Sequence, residues 1–156
     1  MICIHEFEFY PEEDMVLAVP FDLLGGTEGY DFDDAVSMAA EWLRIHAEHA
    51  LMQGDVLPNG TLGHSPVHGG TVIAIAVDAD LSRIAAVTAS EAARALGVTP
   101  ARVCQLCKAG LLESWKTGGT RMVSVDSVVA RLEERGAAAA RPAIDGVTVT
   151  CEQPVE

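Results

Sequence analysis

The stretch of residues 88–135 constrains the possible folds of this 156-residue chain more than any other. Thr88 and Glu91 have the S/T-x-x-E spacing of a capping box, which predicts a helix that begins just after Thr88. Gly97 then supplies the left-handed backbone on which helices commonly end. The Thr99-Pro100 pair predicts a second helix, because threonine can cap it and proline at the first helical position sacrifices no hydrogen bond. Two short helices joined by such a tight turn form a helix-turn-helix.

A hairpin and a third helix are predicted after this unit. Residues 114–115 and 121–125 can pair as strands around a glycine-containing turn at residues 116–120. Asp126 is placed to cap a helix over residues 127–135, and Gly136 is placed to end it. Helix-turn-helix, hairpin and helix together make a winged arrangement.

The motif that runs through this stretch resembles that of excisionase and MerR-type winged helix-turn-helix domains. The chain reads T-x-x-E-A-A-x-x-L-G-V-T over residues 88–99, followed by Val103, Gly110 and Leu112 at the expected spacings. The likeness covers about a third of the chain. It implies that the second helix enters the major groove of double-stranded DNA and that the hairpin is a wing.

The second helix, from Pro100 to about Ala109, is predicted to read DNA bases. Arg102, Gln105 and Lys108 are spaced by three and should project outward together. Arginine can make two hydrogen bonds to guanine, and glutamine can make two to adenine; the alternative is a merely solvated charged face. With a phosphate contact at the helix start and the wing contacts that the resemblance implies, the predicted DNA-binding residues are Thr99, Ala101, Arg102, Gln105, Lys108, Lys116, Thr117 and Arg121.

The opposite side of that helix should face the interior of the domain. The residues expected to pack together there are Val103, Leu106 and Cys107 against Leu96 and Leu111.

The formal net charge of −13 is divided unevenly along the chain. Residues 1–80 contain 15 acidic residues and one basic residue, whereas residues 86–135 contain seven basic and five acidic residues. An acidic half repels phosphate, so it is expected to face away from DNA. Such a surface suits a small basic protein partner, although solubility alone would also explain it.

The first half alternates between strand and helix signals. Strands are predicted at residues 2–9 and 15–19, a bend or short edge strand at 25–29, a helix from the Asp31 cap to about Gln53, and a buried strand at 71–78. The fold class is therefore α+β: a small β-β-β-α-β layer followed by a winged helix-turn-helix.

This half resembles the HicB family, the antitoxins of bacterial HicA–HicB pairs, in its short N-terminal hairpin, its long helix, the hydrophobic strand that leads to the DNA-binding part, and three shorter segments. They are Leu24-Gly25-Gly26-Thr27-Glu28-Gly29, then Asp31-Phe32-Asp33-Asp34-Ala35, then the helix exit from Gly54 to Pro58. In that family HicB binds a small basic mRNA-cleaving HicA toxin and represses its own operon through a C-terminal DNA-binding domain. The resemblance implies an antitoxin of a type II toxin–antitoxin pair. A stand-alone DNA-binding regulator with an N-terminal dimerisation domain is the alternative.

Four segments follow from these patterns. They are a HicB-like α+β domain at 1–80, a linker at 81–87, the winged helix-turn-helix at 88–135, and a flexible tail at 136–156 in which residues 147–150 could form a strand.

The long helix of the first half carries two apolar stripes. The stripe expected to pack on the sheet comprises Val36, Ala40, Leu43, Ala47, Ala50 and Leu51. The second comprises Met38, Trp42, Ile45, His49 and Met52. The loop at 54–70 or the DNA-binding unit could cover the second stripe; otherwise it is a subunit or toxin interface. We expect a homo-oligomer, dimer or tetramer, with Met38, Trp42, Ile45 and His49 at the interface, because helix-turn-helix proteins usually read two half-sites.

No catalytic, metal or cofactor site is predicted. Cys104 and Cys107 lack a second pair of ligands for zinc, and no carboxylate is obviously placed beside His64 or His68. A metal-dependent nuclease is the weakest of the readings. The longest apolar run, residues 72–77, is too short to cross a membrane, and the first residues lack the pattern of a secretion signal. A cytoplasmic protein is expected.

Overall fold

A four-stranded antiparallel sheet dominates the first half of the protein in a computed structural model, which describes residues 1–140. Its strand order is β3-β2-β1-β4. Strand β1 (Ile2–Glu12) is central and pairs with both β2 (Met15–Pro20) and β4 (Thr71–Asp78), while β3 (Thr27–Gly29) forms one edge. The predicted β-β-β-α-β order is confirmed.

The sheet buries one face against a long helix, α1 (Phe32–Met52). Along β1, Cys3, Phe7 and Phe9 point into this core because side chains alternate along a strand. The helix begins as expected: the Asp31 carboxylate accepts a hydrogen bond of 2.8 Å from the Asp34 N–H.

The buried face of α1 is rotated from the predicted one. Its fully buried residues are Ala35, Ala39, Leu43 and Ala47, whereas Val36 and Ala40 are only partly buried. A β-carbon at Gly29 of β3 would collide with the backbone of Ala35. The helix therefore approaches the sheet most closely where both sides carry the smallest residues.

Trp42 does not lie on an exposed second stripe, and that part of the prediction is wrong. Its ring packs edge-on against Phe7 with 6.0 Å between centroids, and His46 stacks on it at 3.7 Å. Met38 and Ile45 do face solvent, with 42% and 51% of their surfaces exposed. The exposed apolar stripe is thus narrower than the sequence indicated.

The two segments that could cover the second stripe, the C-terminal unit and the loop at residues 54–70, lie in different places. The C-terminal half of α1 contacts the 3-10 helix Leu81–Arg83 and a strand of the C-terminal unit. The loop at residues 54–70 packs Leu57 against the core of the sheet and α1. It crosses the end of the sheet, where His5 meets the Pro58 carbonyl oxygen at 2.9 Å, and then runs over the outer face.

Two carboxylates of β1 hold that loop in place. Glu6 accepts hydrogen bonds from the backbone N–H groups of Gly63 and His64, both at 2.9 Å. Glu8 lies one step along the same face and has its own set of donors. They are the backbone N–H groups of Val67, His68 and Gly70, at 2.9, 2.6 and 3.1 Å.

These bonds make the N-terminal unit sensitive to acid. Burial alone would raise the pKa of Glu8, but the N–H donors of Val67, Gly70 and His68 together lower it from 4.5 to about 2. A carboxyl whose pKa is lower folded than unfolded stabilises the fold above its unfolded pKa. We therefore expect Glu8 to contribute fully above about pH 4.5 and to lose that contribution as the pH falls towards 2.

The variant Glu8→Gln should show a flatter dependence of the free energy of unfolding on pH between 2 and 4.5, measured by urea denaturation. A residual slope is expected because Glu6 and Asp22 also have lowered pKa values, caused first by backbone N–H donors. Glu28→Gln, at an exposed position, is the matched control. An unchanged slope in Glu8→Gln would contradict the assignment.

The segment predicted as a linker, residues 81–87, has regular structure. After the 3-10 helix, strand β5 (Ala86–Thr88) pairs with β7 (Thr120–Ser124), which pairs in turn with β6 (Ser114–Thr117). The wing is therefore a three-stranded sheet. The helices of this unit are α2 (Ala89–Leu96), α3 (Pro100–Lys108) and α4 (Val125–Ala140).

Helix α4 differs from its prediction at both ends. The hydroxyl of Ser124, rather than Asp126, accepts a hydrogen bond from the backbone N–H of Ser127, at 3.4 Å. Gly136 does not end the helix, which continues to Ala140. The remainder of the predicted tail, including residues 147–150, lies outside the described residues. Within residues 1–140, no helix is both long and apolar enough to cross a membrane.

Candidate nucleic-acid interface

The first helix of the unit is fixed at both ends by the residues that predicted it. The Thr88 N–H donates to the Glu91 carboxylate at 2.8 Å, and the Glu91 N–H donates to the Thr88 hydroxyl at 3.3 Å. Gly97 has a φ of 65°, the left-handed conformation that glycine adopts without strain. The capping box and the glycine stop are both confirmed.

Helix α3 presents one side to the core and the other to solvent. The Thr99 hydroxyl caps it by accepting a hydrogen bond of 3.2 Å from the Arg102 N–H. Val103 and Leu106 are buried in the core of the unit. The prediction that Leu111 packs in this core is wrong, because Leu111 is 50% exposed and Leu112 is buried there instead.

The outward side of α3 carries every residue that was predicted to read DNA from this helix. Ala101, Arg102, Gln105 and Lys108 are all exposed. Arg102 Nη1 donates to Gln105 Oε1 at 3.1 Å, so these two side chains reach the same region of space. The bond leaves the Gln105 amide NH₂ and most of the guanidinium donors free for other acceptors.

The wing is tighter than predicted and presents two basic residues on one face. Gly118 and Gly119 form a two-residue turn with φ values of 56° and 85°, as hairpin turns of this length require. Lys116 is exposed and lies opposite Arg121 across the strands. Arg121 is half-buried, and its guanidinium donates to the Ser114 hydroxyl at 2.8 Å.

The acidic half does not point wholly away from this surface, contrary to the expectation. A cleft of about 420 Å³ lies between the C-terminal end of α1 and the wing, and Cys107, Lys116 and Arg121 line it. The α1 side is formed by residues 51–54, which carry no charge. No acidic side chain of the helix end therefore lines this cleft. Glu41 and Glu48 of α1 line a second cleft, together with Glu113 and Asp126 of the C-terminal unit.

Two arginines beside the recognition surface were not predicted from the sequence. Arg131 and Arg135 of α4 line a cleft of about 240 Å³ together with Arg102. The Arg135 guanidinium donates to the Leu96 carbonyl at the end of α2, at 2.6 Å. Their spacing of four was a visible signal, since residues four apart share one helix face, but their proximity to Arg102 depends on packing between helices.

His64 has a carboxylate partner that was not predicted from the sequence. His64 Nδ1 lies 2.6 Å from Glu6, and its Nε2 lies 3.1 Å from the Thr61 hydroxyl. Thr61, His64 and Glu6 thus follow one another as the nucleophile, general base and orienting carboxylate of a catalytic triad would. However, the Thr61 hydroxyl lies 3.0 Å from Asp22 Oδ2, and the Gly63 and His64 N–H groups are bonded to Glu6. The arrangement fixes the loop and leaves neither N–H free for a developing oxyanion.

The cysteines and the remaining histidines form no such cluster. Cys104 and Cys107 are free and half-buried on α3. His46 is bonded to the Trp42 carbonyl oxygen, whereas His49 is exposed. Within the part of the chain that the structure describes, no three histidine, cysteine or acidic residues are grouped to hold a metal ion.

Lys116 provides a test of the wing as a phosphate contact. We expect Lys116→Ala to weaken binding to all DNA sequences alike and to lower the slope of log affinity against log salt by about one. Thr120→Ala, at the exposed far end of the same hairpin, is a control without a charge change. An unchanged salt slope in Lys116→Ala, measured by fluorescence anisotropy over a salt series, would remove Lys116 from the interface.

Comparison with known proteins supports the assignment of this unit. A family model described as a helix-turn-helix domain matches residues 86–136, about a third of the chain. No curated protein and no solved structure matches the chain. The C-terminal unit is therefore a helix-turn-helix domain, a class that binds DNA and is typically not enzymatic. The match begins at Ala86, the first residue of β5.

Proposed function

We propose that the protein is a transcriptional repressor that reads its operator with helix α3 and the wing. The observation that carries this proposal is the outward side of α3, where Arg102, Gln105 and Lys108 stand exposed on a helix whose other side is buried. Thr99 and Ala101 flank this row at the helix start. Lys116, Thr117 and Arg121 supply the contacts of the wing, and Arg131 and Arg135 add positive charge beside Arg102.

Within this role we propose that the first half acts as a HicB-like antitoxin, which binds a small basic mRNA-cleaving toxin. Two observations support the proposal: the HicB-like segments lie on a β-β-β-α-β layer, and that layer carries 15 acidic residues against one basic residue. An acidic surface attracts a basic partner over a distance and so speeds their association. Binding to the toxin should therefore be fast and weakened by salt.

The exposed stripe of α1 is the surface that we propose for this protein contact. Met38 and Ile45 are exposed apolar side chains, His49 continues the row, and Trp42 packs beside it. Glu41, which is exposed between Met38 and Ile45, provides an acidic group at the edge. An apolar centre with charged surroundings is the usual anatomy of a protein interface.

Expression with a genome-adjacent small basic protein tests the antitoxin proposal. We expect the two proteins to co-purify at low salt and Ile45→Glu to abolish co-purification. Val129→Glu introduces the same charge at a similarly exposed position of α4 and should have no effect. If no adjacent basic protein is retained by the wild-type chain, the antitoxin proposal fails while DNA binding remains.

A stand-alone DNA-binding regulator with an N-terminal dimerisation domain is the second candidate. The unpaired edge of the N-terminal sheet favours it, because such an edge offers a self-association surface that requires no other protein. Under either proposal the protein acts on operator DNA in the cytoplasm and needs no cofactor.

A further inference from the structure

Strand β4 (Thr71–Asp78) forms the second edge of the N-terminal sheet, and its outer side is unpaired. It pairs with β1 along its whole length, and no other strand within residues 1–140 pairs with it. Eight residues make it longer than the other edge strand, β3, which has three. An exposed strand of this length presents a continuous row of backbone donors and acceptors.

The direction of these donors follows from one hydrogen bond. The N–H of Ala79 donates to the Met1 carbonyl oxygen, so the amide of residue 79 points towards β1. Backbone groups alternate in direction along an antiparallel strand. The N–H groups of Val72, Ala74 and Ala76 therefore point away from β1, and no loop or side chain of residues 1–140 is hydrogen-bonded to them.

The edge also lacks the features that normally protect such strands. Proteins usually place lysines, prolines, bulges or covering loops on exposed edges. The sequence TVIAIAVD contains no lysine or proline, and its single charge, Asp78, is at the end, paired with Arg83 at 2.9 Å. On the outer face, Ala74 and Ala76 are exposed, and Ile2 is 58% exposed on the neighbouring strand.

We infer that β4 pairs antiparallel with β4 of a second copy of this chain, joining two sheets into one of eight strands. A second copy fits because the strand is self-complementary: with Ile75 opposite Ile75 of the partner copy, Asp78 falls opposite Val72 and no like charges meet. β-Branched side chains facing each other across strands are favourable pairs. Asp78 is the single charged residue of β4, so little like charge meets across the joined strands.

This antiparallel pairing places the two DNA-binding units at opposite ends of the joined β4 strands. Each unit follows the C-terminal end of its own β4, and with Asp78 opposite Val72 of the partner copy these ends lie about 20 Å apart. Half-sites of helix-turn-helix dimers are separated by about 34 Å. The strand ends are closer together than this spacing, but they place the two units on opposite sides of the joined strands. Only this comparison with the half-site spacing rests on the proposed repressor function.

Sedimentation of the full chain tests the inference. The wild-type protein should sediment at twice the 16.5 kDa chain mass at tens of micromolar. Ala74→Lys places a lysine at the exposed centre of the edge and should weaken dimerisation by roughly 100-fold or more. Ala130→Lys, at an exposed alanine of α4, should leave the dimer intact. A monomeric wild-type chain, or a dimeric Ala74→Lys variant, would overturn the inference.

Hydrogen exchange of the wild-type protein decides the matter even if the lysine variant does not fold. Dilution below the dimerisation range should speed exchange at Val72, Ala74 and Ala76, while Ile73 and Ile75, whose amides face β1, stay protected. Protection of the outer amides that does not depend on concentration would mean that the chain covers its own edge, and would overturn the inference. Binding of Ala74→Lys to a single half-site should remain normal, so that failure of dimerisation is separable from failure of DNA binding.

Discussion

The Arg102→Ala, Gln105→Ala double variant should lose specific operator binding while remaining folded. Each side chain can make two hydrogen bonds to one base edge, and the loss of each such contact costs about 1–3 kcal/mol, or about five- to 150-fold in affinity. The two effects are not expected to add exactly, because Arg102 and Gln105 are hydrogen-bonded to each other. Preference for one base should also relax at each contacted position.

Competition between operator and unrelated DNA measures this loss. Arg94→Ala is the charge-matched control, since Arg94 is an exposed arginine on α2 rather than on α3. It should weaken specific and non-specific binding to the same small extent. If the double variant keeps its operator preference and its helical circular dichroism spectrum, then α3 does not read bases.

The variant Phe7→Ala should lower the free energy of unfolding by about 3–5 kcal/mol. Phe7 is fully buried at the centre of β1, and its ring contacts both Phe9 and Trp42. Truncation removes apolar contacts from both the strand and α1 and leaves a cavity between them. Small domains are stable by only about 5–15 kcal/mol, so a large fraction of the unit's stability would be lost.

The two tryptophans allow this loss to be assigned to the correct half. Trp42 reports on the N-terminal unit and Trp115 on the wing, so urea unfolding followed with one or the other replaced by phenylalanine separates the transitions. Tyr30→Ala, at a position that is 83% exposed, should change stability by no more than about 0.5 kcal/mol. Similar losses in Phe7→Ala and Tyr30→Ala would mean that the described core is wrong.

The elements that were predicted correctly are those set by neighbouring residues. Asp31, Thr88 with Glu91, and Thr99 each cap a helix through bonds that span three positions, and Gly97 ends α2 through its own backbone conformation. Such interactions are complete within one turn of chain. The row of Arg102, Gln105 and Lys108 was predictable for the same reason, because helical spacing alone places the three residues on one side.

The features that were missed depend on contacts between distant residues. Glu6 and Glu8 meet loop residues almost sixty positions away, and no spacing in the sequence records that pairing. The orientation of α1 was predicted from the helical spacing of its apolar residues, but the buried face is set by close approach to the sheet, as at Gly29 and Ala35. Gly136 was read as a helix end because an isolated glycine often is one, and only the continued backbone of α4 shows otherwise.

Thr88 belongs to two elements of the DNA-binding unit at once. It is the last residue of β5, where it pairs with Met122 of the wing, and it is also the residue whose hydroxyl caps α2. Separation of β5 from the wing would therefore withdraw the cap from the helix, and fraying of the helix would loosen the strand. The wing and helix α2 should consequently open together as one cooperative unit, so that partial unfolding of the wing would also loosen the helix against which α3 packs.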